Sequence, residues 1–465
     1  MIQERSNKPY RPHPPAHMNL FERLKHLRTN FIYAWTANYY ARPFVVDRGI
    51  ATTFIVVTKP EYVKHILVDN HENYVKSSMQ QGTLVPLVGH GLLTSDGEFW
   101  RRQRRIIQPA FHHKRLQTFA ATMTDAGQEM LGRWQPAMKS GSSLDISAEM
   151  AQVTLDIICR TMFGASVDRD QVGTVRDAAA IIAQDLGTPP YADLLGMPRW
   201  FPRRLSRPAK RAIGNVRRLV ENIISERRAA GAGEHGDLLD MLLDARDEET
   251  GEGMTDIQLR DEVITIFLAG HDTTANGLGW TWYLLSQHPE VEARLHRELA
   301  EVLGGRPPAY DDLANLPFVK MVFEEALRLY PPAPAFMREA VADDHIGELN
   351  IPAGAQVTIA PWLSHRHQAL WDRPDNFEPD RFTAENSKTR HRYAYIPFGG
   401  GPRICIGKAF AMMEGPLILA TVAQHFRLHL VEGHPVEPQS KITLWPKYGL
   451  RMTLEKRLPI AEAAD

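Results

Sequence analysis

The chain has 465 residues, of which 43% are hydrophobic and 23% are charged, and its formal net charge is −1. This composition is typical of a globular protein with a large core, and it excludes the strongly basic balance of a nucleic-acid-binding protein. Only two cysteines occur, which excludes a small disulfide-stabilised scaffold.

The N-terminal residues 1–18 are polar and proline-rich, which predicts a flexible arm ahead of a single domain spanning residues 19–465. No run of 18 apolar residues and no signal-peptide pattern occurs, so we expect no transmembrane anchor. Cys159 lies in an apolar helical stretch and is predicted to be a buried free thiol. Such a pattern fits a reducing compartment, and we expect the protein in the cytoplasm.

Residues 44–91 are predicted to form two strands, a helix and an irregular segment. Apolar runs beginning at Phe44 and Thr53 predict a strand pair joined by a turn at Gly49, and Pro60 begins a helix. Residues 74–91 show no regular pattern and are expected to form an irregular loop. Its apolar residues, including Leu84 and Leu87, indicate either a surface plug or the cover of a binding pocket.

A basic helix is predicted from Asp96 onwards. Trp100 and Arg104 are four residues apart and therefore share one face of this helix. Arginine suits a carboxylate ligand because its planar guanidinium donates two parallel hydrogen bonds. The remaining arginines of the helix point elsewhere, which is typical of a solvated face.

The segment 116–230 is helical with weak breaks, and its residues 194–211 combine apolar and basic side chains. An ordinary exposed loop is the simplest interpretation of residues 194–211. Contact with anionic lipid and admission of an acidic substrate are the alternatives.

A helix of roughly 33 residues is predicted to start at the capping box of Thr255 and Gln258 and to stop before Pro289. Residues 269–274, Ala-Gly-His-Asp-Thr-Thr, are poor helix formers in its middle. A buried carboxylate there is costly unless it is used or paired. The residues alone leave two interpretations open, a functional site and a kink with threonine hydroxyls bonded to the preceding turn.

Two charged residues, Glu325 and Arg328, lie three apart on the next apolar helix. They predict either a weak surface ion pair or a buried network.

The most distinctive stretch is residues 398–407, Phe-Gly-Gly-Gly-Pro-Arg-Ile-Cys-Ile-Gly. Three consecutive glycines favour a loop whose amides approach another group closely. Cys405 precedes a helical run, where backbone N–H groups stabilise a thiolate. A buried cysteine beside a glycine turn is the plain alternative.

These segments together resemble the cytochrome P450 superfamily, whose soluble bacterial members lack a membrane anchor. The patterns F-x-x-G-x-R-x-C-x-G, A-G-x-[D/E]-T-T, E-x-x-R and W-x-x-x-R all occur in the family's order. The resemblance implies a mainly α fold with a smaller β region (α+β) in one compact domain. It also implies haem b, with Cys405 as the axial ligand of the iron and a cofactor site that includes Phe398, Gly407 and Ala269.

The resemblance makes residues 194–211 a lid over the substrate entrance, and it also assigns roles to single residues. Haem propionates would be held by Trp100, Arg104, Arg338 and Arg403. Thr273 would hydrogen-bond to dioxygen and Asp272 would relay protons. The predicted substrate pocket consists of Leu84, Leu87, Phe267, Ala269, Ala335, Phe336 and Leu444. Residues 442–454 are expected to form a hairpin whose tip, around Leu444 and Trp445, reaches this pocket, and packing in the core is the alternative for these two residues.

Structural and partner roles complete this prediction. Arg381, in a P-x-R-F pattern, would join Glu325 and Arg328 in a buried network without a chemical role. Electrons would come from a ferredoxin and ferredoxin reductase, or from a flavin reductase, and the other substrates would be O₂ and an apolar small molecule. The expected donor contacts are Arg101, Arg102, Lys114, Arg115 and Lys408.

Three alternatives were open on the same fold. A peroxygenase would use hydrogen peroxide, and an isomerase or dehydratase would need no oxygen; such enzymes tend to lose the Asp-Thr pair that is intact here. A non-catalytic haem sensor would show no oxygen-dependent turnover.

Overall fold

The computed structural model describes residues 12–49, 52–164, 178, 181, 206–230 and 236–457. Its helices are α1 (Leu20–Thr29), α2 (Pro60–Lys64), α3 (Ser78–Val88), α4 (Gly97–Ile107), α5 (His113–Leu116), α6 (Ala120–Ser140), α7 (Ile146–Phe163), α8 (Arg207–Ala230), α9 (Leu238–Asp244), α10 (Asp256–Ser286), α11 (Pro289–Leu303), α12 (Pro317–Leu329), α13 (Pro361–Ser364), α14 (Ala384–Thr389) and α15 (Lys408–Ala423). Its strands are β1 (Phe44–Arg48), β2 (Thr53–Val57), β3 (Tyr74–Lys76), β4 (Leu144–Asp145), β5 (Phe336–Ala340), β6 (Asp344–Ile346), β7 (Leu349–Ile351), β8 (Gln356–Ile359), β9 (Phe426–Leu430), β10 (Pro438–Ser440), β11 (Leu444–Pro446) and β12 (Arg451–Lys456).

The largest sheet has the strand order β1-β2-β8-β5-β3. The predicted pair β1–β2 is confirmed as antiparallel, with Phe44 opposite Val57. At the other edge β3 pairs with β5, which places Lys76 opposite Arg338. A second core cluster packs against this sheet, apart from the main core between the helices.

The central helix α10 runs for 31 residues, and the predicted capping box at its start is confirmed. The amide of Thr255 donates to the Gln258 side chain, and the amide of Gln258 donates to the Thr255 hydroxyl. Because α10 contacts α7, α8, α12 and α15, its middle lies inside the protein. The predicted stop is also found, since α11 begins at Pro289.

The prediction of an irregular loop over residues 74–91 was wrong, because residues 78–88 form α3. Ser77 caps this helix by accepting a hydrogen bond from the Gln80 amide. The helix was missed because it has no amphipathic pattern and carries Pro86 in its last turn, where a proline normally argues against a helix.

The prediction of a hairpin over residues 442–454 was also wrong. Leu444–Pro446 pairs with Pro438–Ser440, whereas Arg451–Lys456 pairs with Phe426–Leu430. The two halves therefore belong to different sheets. The predicted fold class, mainly α with a smaller β region, is confirmed.

Some of the predictions lie partly outside the described residues. Residues 1–11 of the predicted arm and residues 194–205 of the predicted lid belong to this group. Among the helices that the structure does describe, none combines the length and the apolar character that crossing a bilayer requires. Cys159 is a buried free thiol, as predicted, and burial raises its pKa to about 12.

Candidate active site

The loop of residues 398–407 is held in one shape by its own backbone. The amide of Cys405 donates to the Phe398 carbonyl at 2.9 Å, and the amide of Ile404 donates to the Gly401 carbonyl at 3.1 Å. Gly401 has a φ of +68°, and a Cβ added there would lie 1.9 Å from the Leu67 carbonyl oxygen. Only glycine fits this position, because the loop backbone lies directly against the segment that follows α2.

The Cys405 sulfur lies in an enclosed but accessible position. Its side chain is exposed, yet desolvation by the surrounding protein raises the pKa of its thiol. Hydrogen bonds from the Gly407 and Lys408 amides and the charge of Arg104 act in the opposite direction. This set of donors around a sulfur at the start of α15 is the chemistry that a thiolate ligand of iron needs.

Arg104 lies on α4 and reaches the loop itself. Its Nη1 donates to the Ile404 carbonyl at 2.8 Å, one residue before the cysteine. Arg104 therefore fixes the loop in the structure.

A cluster of three cations lies beside this loop. Arg338 is only 5% exposed, its guanidinium donates to the Met337 carbonyl at 2.9 Å, and within the described part of the chain it forms no ion pair. Desolvation, together with Arg403, lowers the pKa of Arg338 to about 10. Desolvation also lowers the pKa of Lys76 well below its usual range, and Arg338 and Arg403 add to this effect.

Among the described residues, one carboxylate, that of Asp96, faces this cluster. It forms an ion pair with Arg403 and accepts the Lys76 amide at 3.0 Å, while the guanidinium of Arg403 lies 4.1 Å from the centre of the Trp100 ring. With three basic side chains and one carboxylate, the cluster has an excess of positive charge and can bind a further anionic group. Lys76 was missed by the sequence analysis, because only the pairing of β3 with β5 brings it beside Arg338.

In the middle of α10, a short stretch of less buried residues lies between two buried stretches of the same helix. Ala269 is exposed, and Asp272 and Thr273 are half-buried, although the flanking turns are buried. Thr273 Oγ1 donates to the Ala269 carbonyl at 2.8 Å. His271 instead faces the core, where its ring contacts the Phe267 carbonyl at 3.1 Å.

The packing of α7 against α10 explains why residue 270 is a glycine. A Cβ added there would lie 3.1 Å from Ile158 Cδ1. Because Gly270 has no side chain, α7 can approach α10 closely. The exposed surface at Ala269 is not part of this contact between the two helices.

A buried acid links α15 to α10. Glu414 is 1% exposed and accepts a hydrogen bond from the side chain of Thr274. Burial raises its pKa to about 8, so the carboxylic acid is largely protonated at neutral pH. No motif had pointed to Glu414.

The residues Glu325, Arg328 and Arg381 are brought together, and the first two are completely buried. Arg328 donates to Glu325 at 2.6 and 2.8 Å, and Arg381 Nε lies 3.4 Å from Glu325 Oε1. Arg328 also donates to the carbonyls of His365, Pro374 and Asn376. One guanidinium thereby joins α12 to the long segment that leads to the cysteine loop.

The predicted pocket residues fall into two groups. Ala335 and Phe336 are half-buried at the start of β5, and Ala269 is exposed. The other four are buried members of the main core: Leu84, Leu87, Phe267 and Leu444. Leu444 is fully buried, and its carbonyl accepts a hydrogen bond from Trp280.

The basic face of α4 is largely neutralised by acidic partners. Arg101 pairs with Glu98 and with Glu72, the latter at 2.8 Å. Arg102 and Arg105 both contact Asp247, at 3.5 and 2.7 Å, and Arg105 holds the pKa of Asp247 at about 2.

A surface cavity of about 290 Å³ lies behind the cysteine loop. Its walls include Phe398, Gly400 and Tyr395, and its cationic lining residues include Arg392 and Lys408. Arg392 and Lys408 are exposed, and neither forms an ion pair within the described residues.

The sequence profile of the family described as cytochrome P450 matches residues 9–453. This chain belongs to the cytochrome P450 family. The P450 is 36% identical to cyclooctatin synthase of Streptomyces melanosporofaciens over 83% of either chain. It is 38% identical to cyclooctat-9-en-7-ol 5-monooxygenase of the same organism, over 75% of this chain and 74% of that protein.

A solved structure agrees with this assignment. The haem domain of cytochrome P450DA matches the P450 with a TM-score of 0.80 at 30% identity, over 90% of each chain. The P450 fold predicted from the sequence is thereby confirmed. The protein is a monooxygenase, and its cofactor is haem b.

The side chains present fit this cofactor. Haem b carries two propionate groups, and the cluster of Lys76, Arg338 and Arg403 has one carboxylate, Asp96, for three cations. The accessible sulfur of Cys405, with two amide donors, suits the iron.

Proposed function

We propose that this P450 transfers one oxygen atom from O₂ to an apolar small molecule, by hydroxylation or epoxidation, at a haem whose iron is ligated by Cys405. The observation that carries this proposal is the Cys405 sulfur, accessible yet surrounded by the Gly407 and Lys408 amides and by Arg104. Haem bound there supplies oxygen activation at an iron whose thiolate ligand favours cleavage of the O–O bond.

The cationic cluster would hold the propionates. Arg338, Arg403 and Lys76 supply the charge, and Trp100 with Arg104 borders the same region from α4. Arginine binds a carboxylate bidentately, whereas lysine acts as a point charge, so Arg338 and Arg403 would fix orientation and Lys76 would add affinity.

Asp272 and Thr273 would handle the protons that oxygen chemistry consumes. The half-buried Asp272 can exchange protons with solvent. The Thr273 hydroxyl donates to the Ala269 carbonyl. Rotation about χ1 would turn this hydroxyl away from the carbonyl, so that it could donate into the open space beside the exposed Ala269. Asp272 and Thr273, side chains of the protein and not groups of the cofactor, would therefore hold the proton donor at this point of α10.

The substrate proposed is an apolar cyclic hydrocarbon or alcohol. The relative named cyclooctat-9-en-7-ol 5-monooxygenase supports this class, and so do the apolar side chains of Ala335, Phe336 and α3. Binding can be screened as a shift of the Soret band when a substrate displaces water from the iron.

The electron donor proposed is a separate protein, a ferredoxin with its reductase or a flavin reductase. Of the five donor contacts predicted from sequence, Arg101 and Arg102 are engaged with acidic partners. The exposed charges of Lys408 and Arg392 beside the cavity behind the cysteine loop therefore offer a better surface for an acidic donor. The cytoplasmic location and the flexible arm of residues 1–18 remain predictions.

The experiment is the absorption spectrum of the reduced, carbon-monoxide-bound protein, measured for wild type and Cys405→Ser. We expect a strongly red-shifted Soret band that is lost in the variant. A histidine-like band in wild type would overturn the assignment of Cys405. Oxygen-dependent turnover with a donor then excludes the haem sensor and the isomerase, and turnover that needs only hydrogen peroxide would indicate the peroxygenase.

A further inference from the structure

A π turn lies directly against the cysteine loop. It comprises His65–Asp69 and follows α2 without a break, and the amide of Asn70 closes it by donating to the His65 carbonyl at 2.8 Å. This hydrogen bond spans five residues in place of the four of an α-helix, so the turn contains one extra residue. Because such turns are rare and occur often at functional sites, the contacts that hold this one are informative about the site beside it.

The middle of the π turn contacts two glycines of the cysteine loop. The carbonyl oxygen of the buried Leu67 would lie 1.9 Å from a Cβ added at Gly401, and Leu67 Cδ1 would lie 3.4 Å from a Cβ added at Gly400. The Gly401 carbonyl in turn accepts the amide of Ile404, the residue before Cys405. A shift of Leu67 is therefore passed on to the loop that carries Cys405, because close-packed protein transmits displacements.

One carboxylate oxygen holds both ends of the π turn. Asp344 Oδ2, on β6, accepts hydrogen bonds from His65 Nε2 and from Asn70 Nδ2, each at 2.9 Å. It also accepts the Tyr74 hydroxyl at 2.6 Å. His65 is the first residue of the turn and Asn70 is the residue after its last, so Asp344 fixes the two ends relative to each other.

The charge of Asp344 makes it a firm anchor. Burial acts to raise the pKa of Asp344, but the hydrogen bonds from Tyr74, His65 and Asn70 together hold this pKa below its usual range. The carboxylate is therefore ionised and only accepts hydrogen bonds, so all three side chains donate to it. Hydrogen bonds to an ionised group are stronger than those between neutral groups.

We propose that Asp344 is a positioning residue for Cys405, which holds the π turn in shape so that Leu67 keeps Gly401 and the cysteine loop in the geometry that the iron ligand requires. This inference rests on the proposed function, in which Cys405 ligates the iron. Without Asp344 the two ends of the turn are no longer tied, and Leu67 can move away from Gly401. Groups that orient a metal ligand without touching the metal commonly decide how firmly the metal is held.

The test follows the loss of thiolate ligation in the reduced, carbon-monoxide-bound protein. In dilute urea the red-shifted Soret band is replaced with time by a band at shorter wavelength, and the rate of this conversion reports how firmly the sulfur is held. We expect Asp344→Asn to convert about tenfold faster than wild type, the effect of weakening hydrogen bonds to a charged group. His65→Leu removes one donor and is expected to convert several-fold faster, whereas His65→Gln, whose amide nitrogen can replace Nε2, is expected to restore most of the wild-type rate.

The matched control is Asp47→Asn. Asp47, on β1, anchors α1 in a similar way, because it accepts hydrogen bonds from Arg23 at 3.0 Å and from Tyr39 at 2.5 Å. We expect Asp47→Asn to lower the free energy of unfolding as Asp344→Asn does and to leave the rate of conversion unchanged. Hydrogen–deuterium exchange at the Asn70 amide reports on the π turn itself and is expected to be faster in Asp344→Asn alone.

Two results would overturn the proposal. One is an equal rate of conversion in Asp344→Asn and Asp47→Asn, and the other is faster exchange at Asn70 with an unchanged rate of conversion. If Asp344→Asn does not fold, the comparison passes to His65→Leu and His65→Gln, and equal rates in these two variants would overturn the proposal as well. A wild-type protein without the red-shifted band would instead overturn the assignment of Cys405, so the two failures are distinguished.

Discussion

Glu414 accepts a hydrogen bond from Thr274, and this contact joins the helix that follows Cys405 to the helix that carries Asp272 and Thr273. Its second oxygen, Oε2, is buried and has no hydrogen-bond partner in the part of the chain that the structure describes. An ionised carboxylate in such a place is costly, which is why burial raises the pKa of Glu414 to about 8.

The first prediction concerns the pH dependence of stability. The pKa of Glu414 is raised in the folded protein, so the unfolded chain ionises first, and stability is lost as the pH rises from about 4.5 to about 8. Glu414→Gln removes this titration and is expected to flatten the fall by up to about 1.4 kcal/mol per pH unit. Urea unfolding of the haem-loaded protein at several pH values in this window measures the difference.

Glu290→Gln, on the exposed surface of α11, is the control for this measurement. Equal slopes for wild type and Glu414→Gln would contradict the prediction. Other buried acids, such as Glu262, are present in both proteins and cancel in the comparison.

The second prediction separates backbone conformation from close packing in the cysteine loop. Gly401 and Gly354 both have a positive φ, but only at Gly401 would a Cβ collide with a neighbouring carbonyl. Each alanine variant carries the backbone cost of about 1–3 kcal/mol. We expect Gly401→Ala also to lose haem at least about tenfold faster in transfer to apomyoglobin, in line with the further cost of shifting the loop. Retention of haem by Gly401→Ala as firm as that of Gly354→Ala would show that the loop tolerates the shift.

The third prediction concerns the buried network of α12. Arg328→Met leaves three buried carbonyls without this donor and leaves Glu325 with only Arg381 and the Glu378 amide, and it is expected to lower the free energy of unfolding by about 3–5 kcal/mol. Arg294→Met breaks an exposed pair with Asp380 and is expected to cost less than about 1 kcal/mol. Urea unfolding of both variants tests this, and a small effect of Arg328→Met would refute a structural role for the network.

The fourth prediction concerns the donor surface. Lys408→Gln is expected to slow reduction by a [2Fe–2S] ferredoxin several-fold at low ionic strength and to leave reduction by dithionite unchanged. Arg101→Gln removes the same charge from a residue that already pairs with Glu72 and Glu98, and its effect is expected to be small. Equal slowing in the two variants would argue against the cavity behind the cysteine loop as the contact.

The predictions from sequence succeeded where one stretch of chain carries its own signal. The capping box and Pro289 define α10, and the pair β1–β2 follows from two short apolar runs with a glycine turn. Glu325 and Arg328 were placed on one helical face by spacing alone. In each case the deciding contacts are local or belong to a motif with fixed spacing.

The sequence was less informative where the deciding contact comes from a distant part of the chain. Lys76 is an ordinary lysine until β5 brings Arg338 beside it, and Glu414 is an ordinary glutamate until α10 covers it. Arg102 and Arg105 read as part of a free basic face because their partner Asp247 lies more than 140 residues away in the sequence. Helix α3 was missed because its stability comes from Ser77 and its neighbours and its sequence lacks a helical pattern.

The cationic cluster beside the cysteine loop has a consequence for the life of the protein in a cell. Lys76, Arg338 and Arg403 repel one another, and Asp96 offsets one of the three charges. Two propionates would offset the other two, so haem would act as a ligand that binds the folded state and raises its population. On this proposal, a cell short of haem would hold less of this enzyme, because chains that fold without it would be more readily unfolded and degraded. The supply of the cofactor would thereby set the abundance of the protein as well as its activity.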